Sequence, residues 1–79
     1  MADRALLHLG QIDAFAEWAA TKGFKREPAP DVYVVLRLRS PRGVVCQFYT
    51  RAGAREHASL PDGLGRRLVL RWMKERRVP

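Results

Sequence analysis

Apolar positions recur along the chain in two rhythms. Between Gln11 and Lys22, Ile12, Phe15, Ala16 and Ala19 fall at i, i+3, i+4 and i+7, the stripe of an amphipathic helix. Gly23 follows in the place of a left-handed cap, with Phe24 set to fold back on the last turn. The two prolines of Glu27-Pro28-Ala29-Pro30-Asp31 disfavour helix at the residues before them and predict a stiff turn. The rhythm then changes to period two. In Val32–Arg39, Val34, Leu36 and Leu38 lie on one side, and Tyr33, Val35, Arg37 and Arg39 on the other. Val44–Arg51 alternates likewise, with Val44, Cys46, Phe48 and Thr50 opposed to Val45, Gln47, Tyr49 and Arg51.

Ser40-Pro41-Arg42-Gly43 joins these strands with the residues of a type I turn closing into a glycine bulge. That geometry pairs Ser40 with Val44, Leu38 with Cys46, Leu36 with Phe48 and Val34 with Thr50. A plain two-residue turn would set Arg37 against Cys46 and mix the faces. A second turn, Arg51–Arg55, leads to a short third strand near Arg55–Leu60, which pairs Arg51 with Arg55, Tyr49 with His57 and Gln47 with Ser59. Ala58 and Leu60 join the apolar side. Pro61-Asp62-Gly63 ends the strand, with Asp62 a candidate N-cap. Leu64–Arg77 is helical in spite of Gly65: Leu64, Leu68, Val69, Trp72 and Met73 fill one half, and Arg66, Arg67, Arg71, Lys74 and Arg77 the other.

The expected fold is therefore α+β in the order α-β-β-β-α, a three-stranded antiparallel sheet with two helices packed on one face. Residues 1–79 make a single domain, since so short a chain holds one modest core. Met1–Leu9 is either an extra turn of helix or a loose N-terminal arm, with Gly10 the break. The longest apolar run, Val32–Leu36, is far short of a membrane span, and no signal-peptide pattern opens the chain. One cysteine, Cys46, leaves no intramolecular disulfide and no cysteine-based metal site. The expectation is a reduced, cytoplasmic monomer without metal or cofactor.

Charge sharpens the picture. The chain carries +7, and the surplus is uneven: residues 1–31 hold four basic and five acidic residues, residues 32–79 eleven basic and three acidic. Twelve of the fifteen cations are Arg, whose planar fork suits phosphate or carboxylate. Ala, Gly, Pro and Arg fill 33 of the 79 positions, so GC-rich coding accounts equally well for the choice of Arg over Lys. It does not account for the confinement of the surplus to residues 32–79.

The outward sheet face becomes the first candidate partner-binding surface: Tyr33, Arg37, Arg39, Tyr49, Arg51, Arg55 and His57. Aromatics interleaved with arginines suit stacking and phosphate contact. The alternative is a solvated hairpin whose arginine stems cover its own apolar atoms. Arg66, Arg67, Arg71 and Lys74 form a secondary basic strip on the last helix, for which an ordinary solvated helix face is the simpler reading. Catalysis has little to work with. His8 and His57 stand in different elements and assemble no nucleophile–base–orienter set. Cys46 points to the core face as an apolar filler.

The α-β-β-β-α order, with Phe15, Trp18 and Gly23-Phe24 ahead of the hairpin, resembles the double-stranded-RNA-binding fold and the related HicA toxins. HicA toxins carry a catalytic histidine at the first strand, where this chain reads Pro28-Ala29-Pro30-Asp31-Val32-Tyr33. Ribonuclease activity is not carried over. The lysine-rich helix start of double-stranded-RNA binders is echoed only by Arg66 and Arg67. In length, arginine content and stretches such as Phe15-Ala16-Glu17-Trp18 and Leu68-Val69-Leu70-Arg71-Trp72, the whole chain resembles phage-encoded anti-CRISPR proteins against type I systems, type I-C among them. That resemblance implies a stoichiometric inhibitor, acting in the cytoplasm of an infected bacterial host, that binds the Cascade surveillance complex and blocks target DNA binding. Many such inhibitors are acidic DNA mimics. At +7 this chain would instead dock on an acidic patch of a complex subunit or on its guide RNA. The alternative is a small nucleic-acid-binding module without catalytic activity.

Overall fold

A computed structural model describes residues 5–51, 54–61 and 63–77, with the side chains of 51–57 and 77 outside the description. A single 3₁₀ turn, Leu9–Gln11, leads into α1 (Ile12–Thr21). Four strands follow, β1 (Lys25–Glu27), β2 (Val34–Arg39), β3 (Val45–Arg51) and β4 (Ala54–Ser59), and α2 (Leu64–Arg77) closes the chain. The fold is α+β, with a four-stranded antiparallel sheet in the order β1-β2-β3-β4.

The expected three-stranded sheet is thus one strand short. Lys25–Glu27, of which the sequence pattern places only Glu27, in the proline turn, pairs with the far end of β2: Lys25 opposite Arg39, Arg26 opposite Leu38 and Glu27 opposite Arg37. Its three side chains are all charged, so no apolar alternation within it announces a strand. Downstream, the Tyr33 amide donates to Asp31 Oδ1 at 2.8 Å, a local turn that delivers the chain into β2.

The first cap and the first hairpin form as the sequence dictates. Phe24 N–H donates to Ala19 O and Gly23 N–H to Ala20 O, both at 3.1 Å, with Gly23 at φ 90°, so α1 ends in a Schellman motif. The hairpin turn has Gly43 N–H on Ser40 O at 2.9 Å and Ser40 N–H on Val44 O at 2.8 Å. Leu38 stands opposite Cys46, and Leu36 opposite Phe48.

Two registers depart from expectation. Between Leu36 and Val34 the pairing slips, so Val34 faces Tyr49 instead of Thr50. Val34 nevertheless stays buried in alternation with Leu36 and Leu38. Val35 now packs against the main core, while Val34 is buried but outside that cluster. Farther along, Arg51 faces Ala54 and Tyr49 faces Ser59, with a second slip between. The expected pairs Arg51–Arg55, Tyr49–His57 and Gln47–Ser59 do not form.

One cluster gathers the core: Leu36, Leu38, Cys46, Phe48 and Ala58 from the sheet, Ile12, Phe15, Ala16 and Ala19 from α1, and Leu68, Val69 and Trp72 from α2. Phe15 centres it, edge-on to Phe48 at 5.6 Å and to Trp72 at 5.3 Å between ring centroids, the tilted geometry aromatic pairs favour. Residues 5–8 are not an extra turn of α1. Leu7 is fully buried, and Ala58 N–H donates to its carbonyl at 2.9 Å, so this segment runs beside the free edge of β4 and covers it. Residues 1–4, the rest of the proposed arm, and the candidate cap Asp62 lie outside the described residues.

Candidate functional site

Strand pleating puts Lys25, Glu27, Arg37, Arg39, Gln47 and Tyr49 on the outer face of the sheet, away from the core cluster. Glu27 organises this face. Its Oε1 accepts from Arg37 Nε at 2.9 Å and its Oε2 from Arg39 Nε at 2.6 Å. Arg37 Nη1 donates to Gln47 Oε1 at 2.8 Å, and Gln47 Nε2 to the Tyr49 hydroxyl at 2.8 Å. Arg39 also reaches the Gly43 carbonyl at 3.2 Å. Hydrogen bonds from Arg39, and then Arg37, hold the Glu27 carboxyl below its ordinary value, and the same carboxylate raises Arg39. Two of the arginines proposed for binding are therefore already committed to an anion of the chain itself.

The other residues proposed for this face are dispersed. Tyr33 precedes β2 and is 68% exposed. Tyr49 sits mid-sheet, its hydroxyl engaged by Gln47. The side chains of Arg51, Arg55 and His57 lie outside the described residues. Sequence reasoning missed Glu27 here because it belongs to the acidic first part of the chain, 10 and 12 residues before the arginines it joins. The available signal was the single carboxylate, Glu27, at the end of a short charged run that could pair beside Arg37 and Arg39.

Cations stand differently on α2. Arg67, Arg71 and Lys74 recur at i, i+4 and i+7 and are all exposed, one strip along the helix. Glu75, the acid of this segment, takes Arg71 Nε on Oε2 at 3.1 Å, the Trp18 indole N–H on Oε1 at 3.3 Å and Lys22 Nζ at 3.6 Å. The Trp18 bond leads the causes that lower its pKa. Arg66 is exposed on the adjoining side, and the Arg76 guanidinium lies 4.6 Å above the centre of the Trp72 ring. Neither Arg67 nor Lys74 pairs with a described carboxylate.

A groove unites α2 with the hairpin turn. It encloses about 530 Å³ and is lined by Phe24, Pro41, Val44 and Leu64, with Arg42 and Arg67 at its sides. Ser40 also lines it, its Oγ accepting the Val44 and Arg42 amides at 2.9 and 3.2 Å. Arg42 was not among the residues proposed from sequence, where it appeared only as a turn residue. The fold makes it the continuation of the α2 strip.

Reactive chemistry is sparse. His8 caps the 3₁₀ turn, its Nδ1 accepting from Gly10 N–H at 3.2 Å. Cys46 is buried opposite Leu38, and burial pushes its thiol pKa up, away from the thiolate that reactivity needs. Among the described residues no three His, Cys, Asp or Glu side chains group to hold a metal ion, and no helix is long and apolar enough to cross a membrane. Of the stretches Phe15–Trp18 and Leu68–Trp72, which carry the anti-CRISPR resemblance, Phe15, Ala16, Leu68, Val69 and Trp72 go to the core, and Arg71 stands in the exposed α2 strip. In comparisons with known proteins, no family model, curated protein or solved structure matches the chain.

Proposed function

We propose that this chain is a non-enzymatic binding protein that meets a negatively charged macromolecular partner through the side formed by Arg42, Arg67, Arg71 and Lys74. One observation carries the reading: Arg42 and Arg67 flank one groove, which joins the hairpin turn to the α2 strip, while Arg37 and Arg39 are engaged by Glu27. Arg42, Arg67 and Lys74 pair with no described carboxylate and keep their electrostatic reach for a partner, while Arg71 shares Glu75 within the strip. In the narrower form suggested by the sequence resemblance, the partner is a type I CRISPR surveillance complex, and the chain is an inhibitor that occupies it stoichiometrically and keeps target DNA from binding. A protein subunit with an acidic patch, or exposed guide RNA, supplies the negative charge.

The second reading, a small nucleic-acid-binding module of double-stranded-RNA-binding type, draws on the same strip, because exposed cations along a helix contact phosphates without reading sequence. A pull-down with tagged protein from cells holding a type I system, with and without nuclease, separates the two. The inhibitor reading expects the complex to be captured after nuclease treatment, and free RNA or DNA to be ignored. Direct binding to free nucleic acid that weakens steeply with salt would replace it with the second. Nuclease activity abolished by His57→Ala would overturn both.

A further inference from the structure

The groove between the hairpin turn and α2 combines two chemistries. Its floor is apolar, built from Pro41, Val44 and Leu64 over the buried ring of Phe24, and Val44 is 51% exposed. Arg42 and Arg67 also line it, and among the described residues no carboxylate does. Water against such a floor is released on contact with another apolar group, and the two guanidinium forks beside it select carboxylates over amines. The floor also discriminates among anionic partners. Single-stranded nucleic acid gains its non-electrostatic affinity by stacking bases on open aromatic faces. Phe24, the aromatic residue of the groove, is 8% exposed and offers no such face. A side chain of a partner protein, Leu or Phe in size, matches the aliphatic floor better than a base does.

We infer that this groove is a docking site for an acidic polypeptide segment: an apolar side chain seats on Pro41, Val44 and Leu64, and flanking carboxylates pair with Arg42 and Arg67. This inference rests on the basic-side reading above and narrows it, since it selects a protein surface and not guide RNA as the contact.

The test is an NMR titration of the full isotope-labelled chain with three probes: a short synthetic peptide with Leu-Phe between runs of glutamate, the same peptide with Ser-Ser at the centre, and oligothymidylate. The apolar-centred peptide should shift the amides of residues 42–44 and 64–67 and bind about tenfold or more tightly than the serine version. Val44→Asp, at a position half open to solvent, should abolish that preference with the rest of the spectrum unchanged. Equal binding of the two peptides, or tighter binding of oligothymidylate at the same amides, would overturn the inference. The pull-down distinguishes the two levels. Capture of the surveillance complex at wild-type yield by Val44→Asp would overturn the groove and leave the inhibitor reading standing. If the wild-type chain captures no complex, the inhibitor reading falls, and the peptide titration still decides the groove.

Discussion

Glu27 and Arg39 meet across the β1–β2 pair with carboxylate and guanidinium 2.6 Å apart, and this contact changes what the outer sheet face can do. Lys25 stands directly opposite Arg39, a like-charged cross-strand pair that is unfavourable without an anion beside it. Glu27 supplies that anion from within the chain and holds Arg37 as well.

Acid should expose this dependence. Glu27 and Glu75 both have folded pKa values below the ordinary 4.5, so the unfolded state binds protons more readily than the native one. Their contribution is complete above the unfolded value and is lost as pH falls through the folded values. Urea midpoints measured between about pH 6 and pH 2 should decline, and Glu27→Gln with Glu75→Gln should flatten the decline while lowering the midpoint at neutral pH. An unchanged slope would show that neither carboxylate is coupled to folding.

Arg37→Glu follows from the same geometry as a poor surface probe. It would set a second carboxylate against Glu27, which now accepts from Arg37 at 2.9 Å. The variant should lose stability as well as charge, whereas Arg37→Gln should keep a hydrogen-bond donor and fold normally. Thermal melts of the two variants side by side check this. Equal melting temperatures would mean the outer network is ornamental to the fold.

Gly65 explains a residue that the helix pattern alone leaves odd. A Cβ there would come within 2.3 Å of Pro61 Cγ and 3.5 Å of Phe48 Cζ, so α2 begins with its backbone pressed against the Pro61 ring that follows β4. Alanine would gain about 1 kcal/mol of helix propensity but force a shift against a rigid ring, a kind of overpacking that costs about 1–3 kcal/mol. Gly65→Ala should therefore destabilise on balance, and Pro61→Ala in the same chain should recover part of the loss. A double-mutant cycle by denaturant unfolding measures the coupling; additive effects would refute the steric account.

Phe15 is the residue whose loss the fold should tolerate least. It is fully buried and touches Trp18, Phe48 and Trp72. Truncating such a residue costs about 3–5 kcal/mol, against roughly 4–12 kcal/mol of total stability for a domain of this size. Phe15→Ala should leave a chain that is partly unfolded at physiological temperature by circular dichroism, while Phe15→Leu should remain folded with a lowered midpoint.

These interactions also show which parts of the molecule could be read from the sequence. The Gly23 cap, the Ser40–Gly43 turn and the span of α2 were legible because each follows from local chemistry: a glycine at positive φ, a proline before a bulge, a helical stripe. What escaped notice is non-local. β1 is three charged residues whose only reason to extend is the strand beside them. The slips at Val35 and beyond Tyr49 answer to how the sheet packs, not to alternation within one strand. Dividing the chain into an acidic first part and a basic second part was arithmetically right, yet the fold lays Glu27 on Arg37 and Arg39 and moves the unpaired charge elsewhere.

That redistribution yields the sharpest functional prediction. If partner binding uses the side that joins the hairpin turn to α2, then Arg42→Glu with Arg67→Glu should abolish capture of the partner, and Lys74→Glu alone should weaken it. All three side chains are exposed and make no ion pair with a described residue, so their reversal should leave the melting temperature nearly unchanged. Arg37→Gln with Arg39→Gln removes the same amount of positive charge from the sheet face as neutralising Arg42 and Arg67 removes from the other side. A partner steered only by net charge would respond alike to these two neutral pairs, Arg37→Gln/Arg39→Gln and Arg42→Gln/Arg67→Gln. A partner docked at the groove would respond to the second pair by about tenfold or more and barely to the first. Dissociation rates should carry that difference, because weakening a docked surface acts mainly on release and not on encounter. Equal loss for the two pairs, expressed in association rates and erased by salt, would instead assign binding to long-range attraction over the whole surface.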